Sequence, residues 1–196
     1  MTTRSKLVAT AAVLGLLAAG LAAVVHSAFT STARNDGNTF QAGSISLTDD
    51  DQAKVLWDVT GLKPSSQIDR KCVTLDYGSS GGLGSAIRLY GETSGTLAQY
   101  LRLKVTRGSF GATAPGCGAC TGFGADATDY AGNGAGVLFD GTLDTDPQRW
   151  EDGLADPRAT WAAGDRATYQ LEVSVIDSDD AQGKSATQAF AFEARS

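Results

Sequence analysis

The sequence predicts an all-β protein, an antiparallel β-sandwich of jelly-roll-like topology behind an N-terminal signal helix. Three observations predict it. Many short runs alternate apolar and polar residues with a period of two, the pattern of half-buried strands. Clusters of Gly, Ser, Asn, Asp and Pro separate those runs and supply turns. No long 3.6-residue amphipathic pattern follows residue 28. Antiparallel sheets bury one face and wet the other, so two such sheets must cover each other.

Residues 1–28 read as an export signal. Arg4 and Lys6 form a basic flank, Leu7–Val25 is an uncharged apolar run, and Val25 and Ser27 suit a signal peptidase. Left uncleaved, the same run is long enough to act as a signal anchor. Residues 29–39 form an N-terminal arm of small polar residues around Phe29, with turn formers at Asn35–Asn38. Residues 40–196 are read as one β-sandwich domain, and Phe40–Leu47 is its first strand, placing Ile45 and Leu47 on one face.

Lys54–Thr60 is the next predicted strand, with Val55, Trp57 and Val59 sharing a face. Gln67–Tyr77 follows, with Val73, Leu75 and Tyr77 inward and Cys72, Thr74 and Asp76 opposite. Gly78–Ser85 is a loop and Ala86–Tyr90 a short strand. Tyr100–Arg107 points Leu101, Leu103 and Val105 inward. Gly108–Gly136 is long and irregular for a compact domain, so it is either functional or tied down. Val137–Leu143 fits a strand or one helical turn, and Asp144–Asp156 is acidic loop. Arg166–Ile176 is the clearest strand, with Tyr169, Leu171, Val173 and Val175 inward. After a turn at Asp177–Gly183, Ser185–Arg195 closes the chain with Phe190 and Phe192 on one face.

The chain has 196 residues, and about 168 remain behind the signal, enough for one buried core. All 22 acidic residues and 14 of the 16 basic ones lie there, so 14 − 22 gives a net charge of −8. That balance argues against nucleic acid or an anionic membrane surface as a partner; membrane contact is expected only through an uncleaved signal. Cys72, Cys117 and Cys120 would meet an oxidising compartment, and an odd count implies one disulfide and one free thiol. Cys72 lies outside its strand's core face, so we expect it to pair with the Gly116–Cys120 loop, through Cys120 in preference to Cys117.

Several stretches carry a resemblance. An apolar signal is followed by Ala28–Ala33 and then by Gly37–Leu47. Val59–Pro64 leads into a strand, Ala163–Asp165 precedes Tyr169–Val173, and Ala181–Thr187 precedes Phe190–Ala194. In this order the chain resembles the TasA/camelysin family, secreted bacterial proteins exported with a dedicated signal peptidase. The resemblance implies a jelly-roll sandwich and extracellular fibres of a biofilm matrix. Those fibres grow when the arm of one subunit completes the sheet of the next. On this chain the donor would be the arm around Phe29, Thr30, Ser31 and Thr32. The partners would be further copies of the chain and other matrix components, at the cell surface or outside it. The Gly116–Cys120 loop is similar to a feature of an actinobacterial-type branch.

Some relatives carry a metallopeptidase label, and here the residues speak against it. The only histidine is His26, within or beside the signal. A His-Glu-x-x-His zinc site, a Ser-His-Asp triad and a Cys-His pair are therefore excluded from the rest of the chain. No motif brings two carboxylates together for acid–base hydrolysis. We expect no enzyme activity, no catalytic residues and no cofactor. Asp49–Asp51, Asp144/Asp146, Glu151/Asp152 and Asp177/Asp179/Asp180 offer the oxygens that Ca²⁺ takes, but none has EF-hand spacing. They read as solvated turns, with no metal site. Core packing is expected for Trp57, while Trp150 and Trp161 stay open between core and a carbohydrate-stacking surface. Two function classes follow: a self-assembling structural subunit, or a monomeric adhesion or glycan-binding module on the same sandwich.

Overall fold

Alternation along ten short segments builds two antiparallel sheets. A computed structural model describes residues 30–34, 45–50, 55–59, 62–63, 70–111, 113–116 and 118–196. The strands are β1 (Thr30–Arg34), β2 (Ile45–Asp49), β3 (Lys71–Ser79), β4 (Ala86–Ser94), β5 (Leu101–Phe110), β6 (Phe123–Ala125), β7 (Val137–Thr142), β8 (Leu154–Ala155), β9 (Arg166–Val175) and β10 (Thr187–Arg195). One sheet has the order β1-β10-β4-β8; the other runs β2-β3-β9-β5, with β6 and β7 both on the far edge of β5. The signal and Phe29 lie outside the described residues. Among the described residues, no helix is long and apolar enough to cross a membrane.

The two inner faces share one buried cluster, giving a sandwich-like all-β fold. Leu75, Leu103, Val105, Tyr169 and Leu171 come from the six-stranded sheet; Ile87, Leu89, Phe190, Phe192 and Ala194 come from the four-stranded one. Leu75, Leu103 and Leu171 are wholly inaccessible, and burying a side chain of that size stabilises by roughly 1.5–3 kcal/mol. Tyr169 and Phe192 face each other across the core with ring centroids 4.9 Å apart.

Several segments depart from the sequence reading: β3 buries Cys72 and Thr74 as well as its core face, and β8 lies inside the expected loop Asp144–Asp156. Val55–Val59 is not a strand: Leu56 is buried, Trp57 half-buried, and Val55 and Val59 exposed. Away from a ladder, the period of two loses its meaning, and Leu56 rather than Val55 or Val59 turns inward. Strand β10 is buried on both faces, since Ala191 and Glu193 are covered as well as Phe190 and Phe192. The expected ambiguity at Val137–Leu143 resolves into both forms, a strand to Thr142 and then a 3₁₀ turn at Leu143–Thr145.

The long segment after β5 is held at three places. Cys72 and Cys120 are joined by a disulfide, Cα atoms 5.3 Å apart, and Cys117 lies outside the described residues. Cys72 and Gly118 also exchange backbone hydrogen bonds at 3.2 and 3.4 Å. Further on, Arg107 N–H donates to the Gly136 carbonyl at 2.7 Å, and Arg107 carbonyl accepts from Asp126 N–H at 3.0 Å. Gly136 has φ 72° and a Cβ there would collide with the Arg107 carbonyl oxygen, so only glycine suits this approach.

Candidate assembly edge and the adjoining groove

The chain's first described strand lies beside its last. Within one chain, Thr30 stands opposite Arg195, Ser31 opposite Ala194, Thr32 opposite Glu193 and Arg34 opposite Ala191. Three of the four expected arm residues are thus in this ladder; Phe29 is beyond the described residues. On its other side β10 pairs with β4 along its full length, Thr187–Arg195 against Ser94–Ala86. Strand β1 covers only the C-terminal part of β10, so Thr187–Phe190 has no ladder partner on that side among the described residues.

Beside that uncovered part lies a groove of about 910 Å³. Its walls are apolar, including Leu56, Leu62, Leu97, Val173 and Phe190, and its rim carries Tyr90, Glu92, Lys184 and Gln188. Trp57 meets Phe190 edge to face at 6.3 Å, a geometry aromatic pairs favour. The ammonium of Lys184 stands 5.1 Å from the centre of the Tyr100 ring.

The outward face of the β10–β4 pair is a charged platform. Glu193 is 3% exposed and accepts from the Tyr90 hydroxyl at 2.6 Å and from Arg195 Nε at 2.8 Å. Trp150 lies under the guanidinium groups of Arg88 and Arg195, at 5.3 and 4.6 Å from its ring centre. Arg88 also donates to the Trp150 and Glu151 carbonyls. Trp161 is fully buried, which removes it from any stacking surface.

Two buried aspartates escape a reading by motif. Asp156 accepts from Arg107 Nε, from the Tyr169 hydroxyl at 2.6 Å, from Trp161 Nε1 at 2.9 Å and from Arg158 N–H at 2.8 Å. Arg107 also binds Asp126, which accepts in turn from the Tyr130 hydroxyl at 2.9 Å. Burial pulls the Arg107 pKa down, but Asp156 and then Asp126 outweigh it and hold the guanidinium charge more firmly than usual. Burial raises the Tyr169 hydroxyl, and the neighbouring Asp156 raises it further.

Asp146 is 3% exposed and much less satisfied. Its Oδ2 accepts from Gln188 Nε2 at 3.1 Å, while Oδ1 has no hydrogen-bond partner among the described residues. Burial pushes this carboxyl up to about 7, against the smaller effect of the Gln188 bond. Both aspartates precede a proline, at Asp146-Pro147 and Asp156-Pro157. A residue before proline is held extended, which fixes where its side chain leaves the backbone. That dipeptide was the available signal.

The remaining acidic clusters are dispersed. Asp50 accepts from Thr74 N–H at 2.9 Å, Asp152 pairs with Arg149 at 2.8 Å, and Asp179 and Asp180 sit in a 3₁₀ turn capped by Ser178. Among the described residues no three His, Cys, Asp or Glu side chains converge as a metal site would require. Comparison of the chain with family models, with curated proteins and with solved structures gives no match.

Proposed function

We propose that the chain is a secreted structural protein, a self-assembling subunit of an extracellular matrix or cell-surface filament that uses its N-terminal arm as the donor strand. The observation that carries this reading is the β1–β10 pairing. The first strand lies at a sheet edge, with no second ladder partner among the described residues, and in an exchange Thr30–Arg34 of a second copy would take the same register against β10. Exchange of an identical element between copies is a low-cost route to assembly, and a head-to-tail exchange need not close on itself. Uncovered, the edge of β10 would be a liability.

The strand order supports a jelly-roll reading of the sandwich. Strands β1-β10-β4-β8 and β3-β9-β5-β7 interleave as two Greek keys do, with the first and last strands adjacent. The Cys72–Cys120 disulfide suits an oxidising, extracellular location. The excess of acidic residues disfavours nucleic acid, and the lack of histidine beyond His26 disfavours a metallopeptidase.

The groove favours a second reading, a monomeric adhesion or glycan-binding module, because Trp57 lies in an apolar cleft of ligand size. One comparison separates the two. A chain starting at Ala28 or Phe29 should form filaments in negative-stain micrographs, and one starting at Phe40, lacking β1, should elute as a monomer. Equal filament formation by both would remove the arm from the mechanism, and monomers from both would favour the binding module.

A further inference from the structure

The segment Leu143–Pro147 is docked onto the inward side of the β4–β10 ladder by very few bonds. Gly91 N–H of β4 donates to the Pro147 carbonyl at 2.8 Å. The short strand β8 pairs only with Arg88 and Leu89, so the Pro147 carbonyl takes the place of a strand partner for Gly91. Thr93 Oγ1 donates its one proton chiefly to Gln188 Oε1, with the Leu143 carbonyl a second, longer acceptor at 3.3 Å. Gln188 Nε2 then donates to Asp146. The Asp146 carboxyl fills the space over Gly91: a Cβ at that glycine would stand 3.0 Å from Asp146 Oδ2 and would collide with Gln188 Nε2.

Among the described residues no charged group offsets the burial of this carboxyl. On β4, Tyr90 and Glu92 alternate with Gly91 and face the other side of the sheet. On β10, Gln188 is neutral and Glu193 is engaged by Tyr90 and Arg195 on that other side. In the segment and just after it, Asp144 is exposed and Arg149 is paired with Asp152. A carboxylate here would keep one neutral donor in exchange for its hydration shell, which strongly favours the protonated form.

We infer that Asp146 is a proton-operated latch. With its carboxyl protonated, Leu143–Pro147 is held on the β4–β10 ladder; loss of the proton to solvent releases the segment. Leu143 and Gln188 both line the groove, so release also loosens that wall. The latch is closed in mild acid and opens as the medium becomes neutral.

Two measurements on the full-length oxidised protein test this. The side-chain carboxyl ¹³C shift of Asp146 should titrate with a midpoint about 7, and a midpoint near the ordinary aspartate value of about 4 would overturn the proposal. Amide exchange at Gly91, corrected for intrinsic rates, should speed up at least about tenfold between about pH 4.5 and pH 7 and then level off, because each pH unit up to the closed segment's value favours the opened, ionised segment. The amide of Leu103, in the centre of the other sheet, serves as the reference and should not follow. In Asp146→Asn the Gly91 change should vanish. A pH-independent Gly91 amide in the wild type, or the same acceleration in the variant, would overturn the latch; should the variant fail to fold, the two wild-type readouts decide it.

Discussion

Arg107 Nε and Asp156 Oδ2 are 2.5 Å apart, and the Asp156 side chain has no solvent exposure. Arg107 leaves β5 and Asp156 follows β8, so this one contact ties the six-stranded sheet to the loop that runs along the four-stranded one. Around it, Tyr169, Trp161 and the Arg158 N–H fill the remaining acceptor sites of the carboxylate.

Removing that carboxylate should be more damaging than any other single polar change in the core. Asp156→Ala strands a buried guanidinium, a tyrosine hydroxyl and an indole N–H, and breaking a buried pair this way costs about 3–5 kcal/mol. Asp156→Asn keeps the shape and one acceptor oxygen and should cost less. Urea unfolding monitored by tryptophan fluorescence checks both, and a loss under about 1 kcal/mol for the alanine variant would contradict this account.

Reduction of Cys72–Cys120, which are 48 residues apart, should destabilise the domain by up to about 4 kcal/mol through loop-closure entropy. Exchange should accelerate first between Gly111 and Gly122, where the disulfide and the Cys72–Gly118 bonds are the ties to β3 among the described residues. Peptide mapping of unreduced protein checks the pairing itself: Cys72 recovered fully alkylated would refute it.

Global stability should fall as pH rises from about 4 to about 7. The folded Asp146 carboxyl binds its proton more tightly than the unfolded one, with its value raised from 3.8 to about 7. Below 3.8 both states are protonated and there is no penalty; between the two values the unfolded state alone ionises and gains; above 7 the penalty is constant. Its size is at most about 4 kcal/mol, from 1.36 kcal/mol per pKa unit. Asp146→Asn should therefore be more stable than wild type at pH 8 and show no such gain at pH 4. Chemical denaturation at the two pH values gives the comparison, and equal differences at both would be inconsistent with a raised carboxyl.

The sequence was most legible where one face of a strand is wet. Leu101, Leu103 and Val105 of β5 and Tyr169, Leu171 and Val173 of β9 alternate with polar neighbours, and all are buried. Legibility failed where tertiary structure covers the second face or withdraws the sheet. The Glu193 side of β10 lies under the Tyr90 and Arg195 contacts, which sequence alternation does not reveal. Val55–Val59 has a strand's alternation without a ladder partner among the described residues. The polar centre was hidden for another reason: Arg107 and Asp156 are 49 residues apart, and neither belongs to a motif. Only the Asp-Pro steps marked the two buried aspartates, and such steps are also common in ordinary turns. At the arm, small polar residues and position were readable, whereas the register against β10 required the fold.

Because Thr30 stands opposite Arg195, the two strands leave their ladder at the same end. A load applied between residues 30 and 195 would therefore act across the antiparallel hydrogen bonds one pair after another, starting from Thr30, and would not stretch the five paired positions together. Mechanically the edge behaves as a zipper, opened one pair at a time from the Thr30–Arg195 end.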